Sequence, residues 1–452
     1  MRWVAALAAA ALLGACTSDP AARPDPPLPS ASNPPPAETT APAEPTTRPL
    51  VLAVNARRPP IRVPEAVARW VIDGRVDDWE GLGQPPGPLR LVDRTDRLDH
   101  LPMDTIAIVV ADAMRPGVRA IEVGGVDPLR DPDAYPIQVT GPAHPPVTTL
   151  AVVGDVMLGR RVTGRPVLQP MAGRLAAADL TVGNLESTMA RLGPPTQGDD
   201  SFYAPPAVRA DLREAGFDVL GLANNHLGDF GEESLVRTVD LLRAGGFATF
   251  GAGRDLAAAR EPVIVERHGI SFAFTGFNAI GETPAAADHR PGAFAVGMPP
   301  RTGPLDETEL GRVLHDVRRM SRRFDVVTVM PHWGEQYVHR PRPVQDEVAR
   351  RLVEAGADLV VGGHPHVVQG ASMVGDSLVV QSLGNFVFDM DFRADTMEGL
   401  LLEATFWGDR LVAADFVPYR LDAGFAPQVV PYAEAASILN PFWEFSDLAA
   451  AR

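Results

Sequence analysis

From Val147 onward the chain repeats one pattern: a short apolar run, a polar cluster at its end, and then a stretch with helical spacing. Residues 147–153 lead into Gly154-Asp155, and Leu180-Thr-Val182 leads into Asn184 and Glu186. Residues 217–222 run into Asn224-Asn225-His226, 324–330 into Pro331-His332, and 358–361 into Gly362-Gly363-His364-Pro365-His366. Between them, Pro205-Pro206 opens a helical pattern with Val208 and Leu212 that Gly216 closes. Leu235, Val239 and Leu242 share a helical face, and Pro343 precedes Val348 and Leu352 with a stop at Gly356. Proline at the start and glycine just past the end punctuate helices. Apolar strands alternating with such helices predict a layered α/β domain.

In open α/β sheets, ligands collect in the crevice outside the carboxyl ends of the strands, so residues far apart in sequence converge there. The residue types at these ends are carboxylate, amide and imidazole, donors suited to borderline divalent metals. Five of the ten histidines (His226, His332, His339, His364 and His366) lie in or beside these turns. The single cysteine, Cys16, rules out a disulfide framework. A net charge of −16 gives no general attraction to nucleic acid, and no nucleic-acid partner is expected. The 41 basic residues are all arginine.

Residues 1–16 carry Arg2, an apolar run over 3–13 and then Leu13-Gly14-Ala15-Cys16. The run is short for a membrane span and reads as an export signal. Its end resembles the bacterial lipobox, which implies lipidation of Cys16 and a chain anchored to the outer face of the cytoplasmic membrane. Residues 17–50 hold 11 of the 45 prolines and read as an extended tether. Residues 51–145 read as a small α/β lobe, with helical spacing at Val67, Trp70 and Val71 and a strand at 106–110. Residues 72–83 of that lobe resemble a segment of phosphate-type periplasmic substrate-binding proteins. The prolines at 145 and 146 mark its boundary and suggest a unit separable from the 147–430 domain, with 431–452 as a C-terminal tail.

Six motifs follow one another in order: Gly154-Asp155-Val-Met-Leu-Gly-Arg160, Gly183-Asn-Leu-Glu186, Ala223-Asn-Asn-His226, His332-Trp-Gly-Glu335, Gly363-His-Pro-His366 and Ser382-Leu-Gly-Asn-Phe386. Over residues 148–418 this series resembles the CapA family, the bacterial poly-γ-glutamate capsule synthesis proteins, a branch of the calcineurin-like metallophosphoesterase superfamily. The resemblance implies a four-layer α/β/β/α sandwich holding one or two divalent ions (Mn, Fe or Zn). It implies Asp155, Asn225, His332, His364 and His366 as metal ligands, with Glu186 or Asn184 in the place of a bridging carboxylate. His226 would contact the leaving group as the catalytic acid. Met157 stands where the superfamily carries a histidine, so one donor is missing. Arg160, Arg161 and Glu335 flank the motifs, as a solvated rim or as a clamp for an anionic substrate. Two readings follow. One is a metal-dependent hydrolase or transferase acting on an anionic extracellular polymer or envelope phosphoester, beside capsule synthesis and export proteins. The other is a non-catalytic export and assembly component that keeps the fold.

Overall fold

A computed structural model describes residues 46–93, 98 and 101–449 of the chain; Cys16 and most of the proline-rich tether lie outside them. The chain enters on β1 (Thr47–Asn55), which begins inside the stretch that composition assigns to the tether. There follow α1 (Glu65–Ile72), β2 (Arg90–Val92), β3 (Thr105–Val110) and β4 (Val118–Ala120). The sheet runs β2-β3-β1-β4, and α1 buries Ala68 and Val71 while Trp70 stays 44% exposed.

The following domain is built on two sheets. The first takes β5 (Val147–Val156), β6 (Leu180–Leu185), α2 (Val208–Glu214), β7 (Val219–Gly221), α3 (Glu232–Ala244) and β8 (Ala248–Phe250). The second takes β9 (Val263–Arg267), β10 (Ile270–Asn278), α4 (Glu307–Ser321), β11 (Val326–His332), α5 (Pro343–Glu354), β12 (Leu359–Val361), β13 (Val368–Val374) and β14 (Ser377–Leu383). The chain then returns to the first sheet with β15 (Asn385–Val387), β16 (Glu398–Trp407), β17 (Arg410–Leu421) and β18 (Pro427–Val429). Strand orders are β8-β7-β6-β5-β16-β17-β18, with β15 also paired to β5, and β9-β10-β11-β12-β14-β13.

The period-two alternation of strand side chains sorts the core into layers. Leu150 and Val152 of β5 meet Phe272, Phe274, Val326 and Met330 of the second sheet. Their neighbours Ala151 and Val153 face Leu212, Leu235 and Val239 of α2 and α3. On the second sheet Val327 and Val329 face Leu310, Val313, Val348 and Leu352 of α4 and α5. Helices, sheet, sheet and helices make a four-layer α/β/β/α sandwich, as the motif series implies. An aspartate just before a parallel strand accepts the N–H of the neighbouring strand at four places, all at 2.7–2.9 Å: Asp179 from Thr149, Asp218 from Thr181, Asp325 from Ser271 and Asp358 from Val327. These bonds pin one register in both sheets, so the carboxyl ends of the strands line up.

Every residue of β16 is buried. Val51, Ala53, Ala107, Val109 and Leu129 of the first lobe share one apolar cluster with Trp407, Val412 and Ala413 of the β16–β17 hairpin. Trp407 Nε1 donates to Leu129 O at 2.8 Å, Arg119 pairs with Asp415 at 2.8 Å, and Arg130 and Arg174 both pair with Glu403. A helix, α6 (Ala436–Glu444), lies in the stretch read as a tail, with Ile438 and Phe442 buried in the inter-sheet core. Among the described residues no helix is long and apolar enough to cross a membrane.

Candidate metal centre

The parallel strands of both sheets end at one place. Asp155 comes from β5, Glu186 follows β6, Asn225 and His226 follow β7, His332 ends β11, and His364 and His366 follow β12; all seven are buried. Carboxylate oxygens of Asp155 and Glu186 and a ring nitrogen of His366 lie within 4.8 Å of one another. His366 Nδ1 is 3.5 Å from Asp155 and 2.9 Å from Asn385 Oδ1. His332 Nε2 lies 3.7 Å from Glu186 Oε1 and 2.9 Å from Asn225 Oδ1, and Asn225 Nδ2 donates to Glu282 at 2.6 Å. The backbone N–H of His364 donates to Asp155 Oδ2 at 3.1 Å, and its ring sits 5.0 Å from that of His332. His364 and His366 have φ of 95° and 58°. Gly363 permits this close approach, since a Cβ there would lie 2.6 Å from Asp155 Oδ1.

Several polar atoms in this cluster are buried without a hydrogen-bond partner: Glu186 Oε1, both ring nitrogens of His364, and His366 Nε2. Buried polar groups are normally paired, so convergent orphans of this donor chemistry fit a divalent ion. Burial raises Asp155 to about 6 and, with the charges of Asp155 and Asp229, lifts Glu186 well above the usual carboxylate range. Burial also lowers His366 to about 4 and holds His332 and His364 well below the ordinary imidazole value, the neighbouring imidazoles of the cluster adding to the effect. Neutral imidazoles at pH 7 offer lone pairs, and a bound cation would restore the carboxylate charge. Asn184 does not compete for the free carboxylate position: its amide donates to Asp155 at 2.8 Å and its carbonyl accepts from Asn224 at 2.9 Å. Met157 is fully buried, and its sulfur accepts from Gly159 N in its own loop.

His226 is held differently. Nδ1 lies 2.9 Å from Asp229 Oδ2, the ring stacks on Phe202 at 3.8 Å, and Nε2 lies 3.8 Å from Glu186 Oε1. Asp229 is fixed in turn by Gln197 Nε2 at 2.6 Å and Phe202 N at 2.5 Å. Reading the sequence for strand-end donors misses Asp229, Phe202, Gln197, Glu282 and Asn385. Asp229 carried one signal, its place three residues beyond His226 on the same turn; Asn385 lies inside a quoted motif but off the predicted strand ends. Glu335 stands apart from the cluster, paired with Arg342 on an exposed turn, and Arg161 pairs with Asp389 and Asp391 on the rim.

Two sheets packed face to face between helices, with carboxylate, amide and imidazole donors at the carboxyl ends of both, define a metallophosphatase-like α/β protein. The chain belongs to the family described as bacterial capsule synthesis protein PGA_cap, which it matches over residues 149–390. Capsule biosynthesis protein CapA of Bacillus anthracis is 28% identical over 288 residues, 61% of this chain and 68% of that protein. PGA biosynthesis protein CapA of Bacillus subtilis is 29% identical over 255 residues, 54% of this chain and 64% of that one. The chain thus spans about two thirds of the length of these relatives. The crystal structure of a phosphatase from Mycoplasma pneumoniae aligns with 64% of this chain and 97% of its own at 12% identity, with a TM-score of 0.37.

Proposed function

We propose that the protein is a metal-dependent hydrolase or transferase acting on an anionic extracellular polymer or an envelope phosphoester, anchored through a lipid on Cys16 to the outer face of the cytoplasmic membrane. The observation that carries this reading is the set of orphaned, buried donor atoms on Glu186, His364 and His366. Asp155, Glu186, Asn225, His332, His364 and His366 are the residues to hold the ion or ions, with carboxylate and imidazole atoms of Asp155, Glu186 and His366 grouped within 4.8 Å. When bound, one or two such ions supply an activated water near neutral pH and neutralise charge on the reacting group. The chain itself contributes orientation and a proton. His226, its Nδ1 tied to Asp229, presents Nε2 toward the cluster and donates a proton to the leaving oxygen. Asp229 acts as a positioning residue, fixing the ring and its tautomer. Capsule synthesis and export proteins are the partners this reading expects.

Metal content and turnover separate the roles. His364→Ala should lower bound manganese or zinc, measured by mass spectrometry of the purified protein. His226→Ala should keep the metal while hydrolysis of a chromogenic phosphodiester falls by about 10²–10⁴. A metal-free wild type with an ordered fold would sink the reading. The second reading, a polymer-handling component without catalysis, rests on Met157, whose thioether is a poor ligand for such ions. It takes over if metal is present and no turnover is found.

A further inference from the structure

Two segments fix His226 from outside the cluster, and each continues into an aromatic residue. Phe202, stacked on the imidazole, is followed by Tyr203; Asp229, hydrogen-bonded to Nδ1, is followed by Phe230. Tyr203 and Phe230 meet edge to face with centroids 6.4 Å apart. The guanidinium of Arg191 lies over both, 4.3 Å from Tyr203 and 5.2 Å from Phe230. Arg191 is exposed and forms no ion pair among the described residues. Stacking holds a guanidinium flat and leaves its in-plane N–H groups free to donate.

Closer to the cluster, Arg160 lies over the Phe202 ring at 4.3 Å and 6.0 Å from Phe388. Its loop is pressed against the same aromatic segment: a Cβ at Gly159 would sit 2.4 Å from Tyr203 O. Arg160 is tied through Nη2 to the buried carboxylate of Asp389, reaches Asp200 through Nη1 over 3.5 Å, and leaves Nε unpartnered. The Asp200 side chain is 79% exposed, and a contact that long at the surface is readily exchanged for another anion.

We propose that Arg160 and Arg191 form an anion track leading out of the metal centre along the Phe202–Tyr203 segment. An anionic group of a substrate whose reacting end lies at the cluster takes the place of Asp200 on Arg160; Arg191 receives a further anionic group on the rim. The track rests on the metal-site reading for its inner end, and it requires a substrate with more than one anionic group, carboxylate or phosphate.

The test is equilibrium binding to the full chain with manganese present. The probes are inorganic phosphate, a short γ-linked glutamate oligomer and a linear polyphosphate. Arg191→Ala should weaken whichever polymer binds by about threefold, the size of one exposed charge contact, and leave phosphate unchanged. Arg160→Gln should weaken phosphate and polymer alike by about tenfold, as for one charge-assisted contact. The polymer that binds more tightly identifies the source of the anionic groups. If Arg160→Gln melts early, Arg160→Lys carries that arm: losing the planar fork should still reduce phosphate affinity, and wild-type affinity removes Arg160 from the track. Polymer binding unchanged in Arg191→Ala, phosphate weakened as much as polymer in that variant, or no polymer binding by the wild type each overturn the proposal. Metal content read on the same samples separates the two ideas. Metal without polymer binding sinks the track alone, and arginine-dependent polymer binding without metal sinks the metal-site reading alone.

Discussion

At the scale of single residues, the donors at strand ends were legible because each closes an apolar run that can only be a buried strand. Asp155, Glu186, Asn225, His332, His364 and His366 do lie side by side. What holds them was not legible: Asp229, Phe202 and Asn385 act through contacts between segments far apart in the chain, and no local pattern marks such contacts. One half-buried carboxyl outside the site gives a test by pH. Burial raises Asp358 to about 6 from the ordinary 3.8, while its bond from Val327 N opposes the shift. The fold therefore prefers the protonated form, and the unfolded chain ionises first as pH rises. That contribution to stability is whole below about 3.8 and is lost as pH rises through about 6. Asp358→Asn keeps an acceptor for Val327 N without the charge. Its melting temperature should match the wild type near pH 4 and exceed it at pH 7, and parallel curves across that range would count against the assignment.

At the scale of elements, the alternation of helices and strands from Val147 was readable, including α2, α3 and α5 with their proline and glycine punctuation. The hairpins β13–β14 and β16–β17 and helix α6 were missed. Hairpin pairing joins strands without a helix between them, so the strand-helix period gives no warning, and α6 lies where the sequence was read as a tail. The first lobe was read as separable from its proline boundary, yet its sheet buries Trp407 and Val412 of the hairpin, and Arg119 crosses the junction to Asp415 and to Tyr432 Oη at 2.7 Å. Removing Arg119 leaves Asp415 and Tyr432 facing each other without the cation. Arg119→Met should therefore destabilise the chain by about 1–3 kcal/mol, as for a part-buried polar group left without its partner, and adding Asp415→Leu should restore part of it. Urea denaturation of the three proteins measures the cycle, and a single variant as stable as the wild type would detach the junction from the fold's stability.

At the scale of the whole molecule, the site draws on both sheets: Asp155 and Glu186 belong to one, His332, His364 and His366 to the other. Any ion held there ties the two halves of the sandwich together, so loss of metal and loss of inter-sheet order should go together. The remaining question at this scale is where the molecule sits. The lipid anchor proposed at Cys16 answers it, and it can be tested directly. Cys16→Ser should move the protein from the membrane fraction to the soluble fraction or leave an unprocessed precursor, read by fractionation and mass. Unchanged retention and mass would rule out the lipid.

The left-handed backbone at His364 and His366 sets function against durability. A side chain at φ of 95° or 58° stores energy that glycine would release, typically about 1–3 kcal/mol at each position. A glycine at either position would relax the turn and remove an imidazole from the cluster. In metal-free samples His364→Gly should melt above His364→Ala, and the reverse order would mean that the turn is relaxed. Selection for stability alone would therefore replace these two histidines with glycine first.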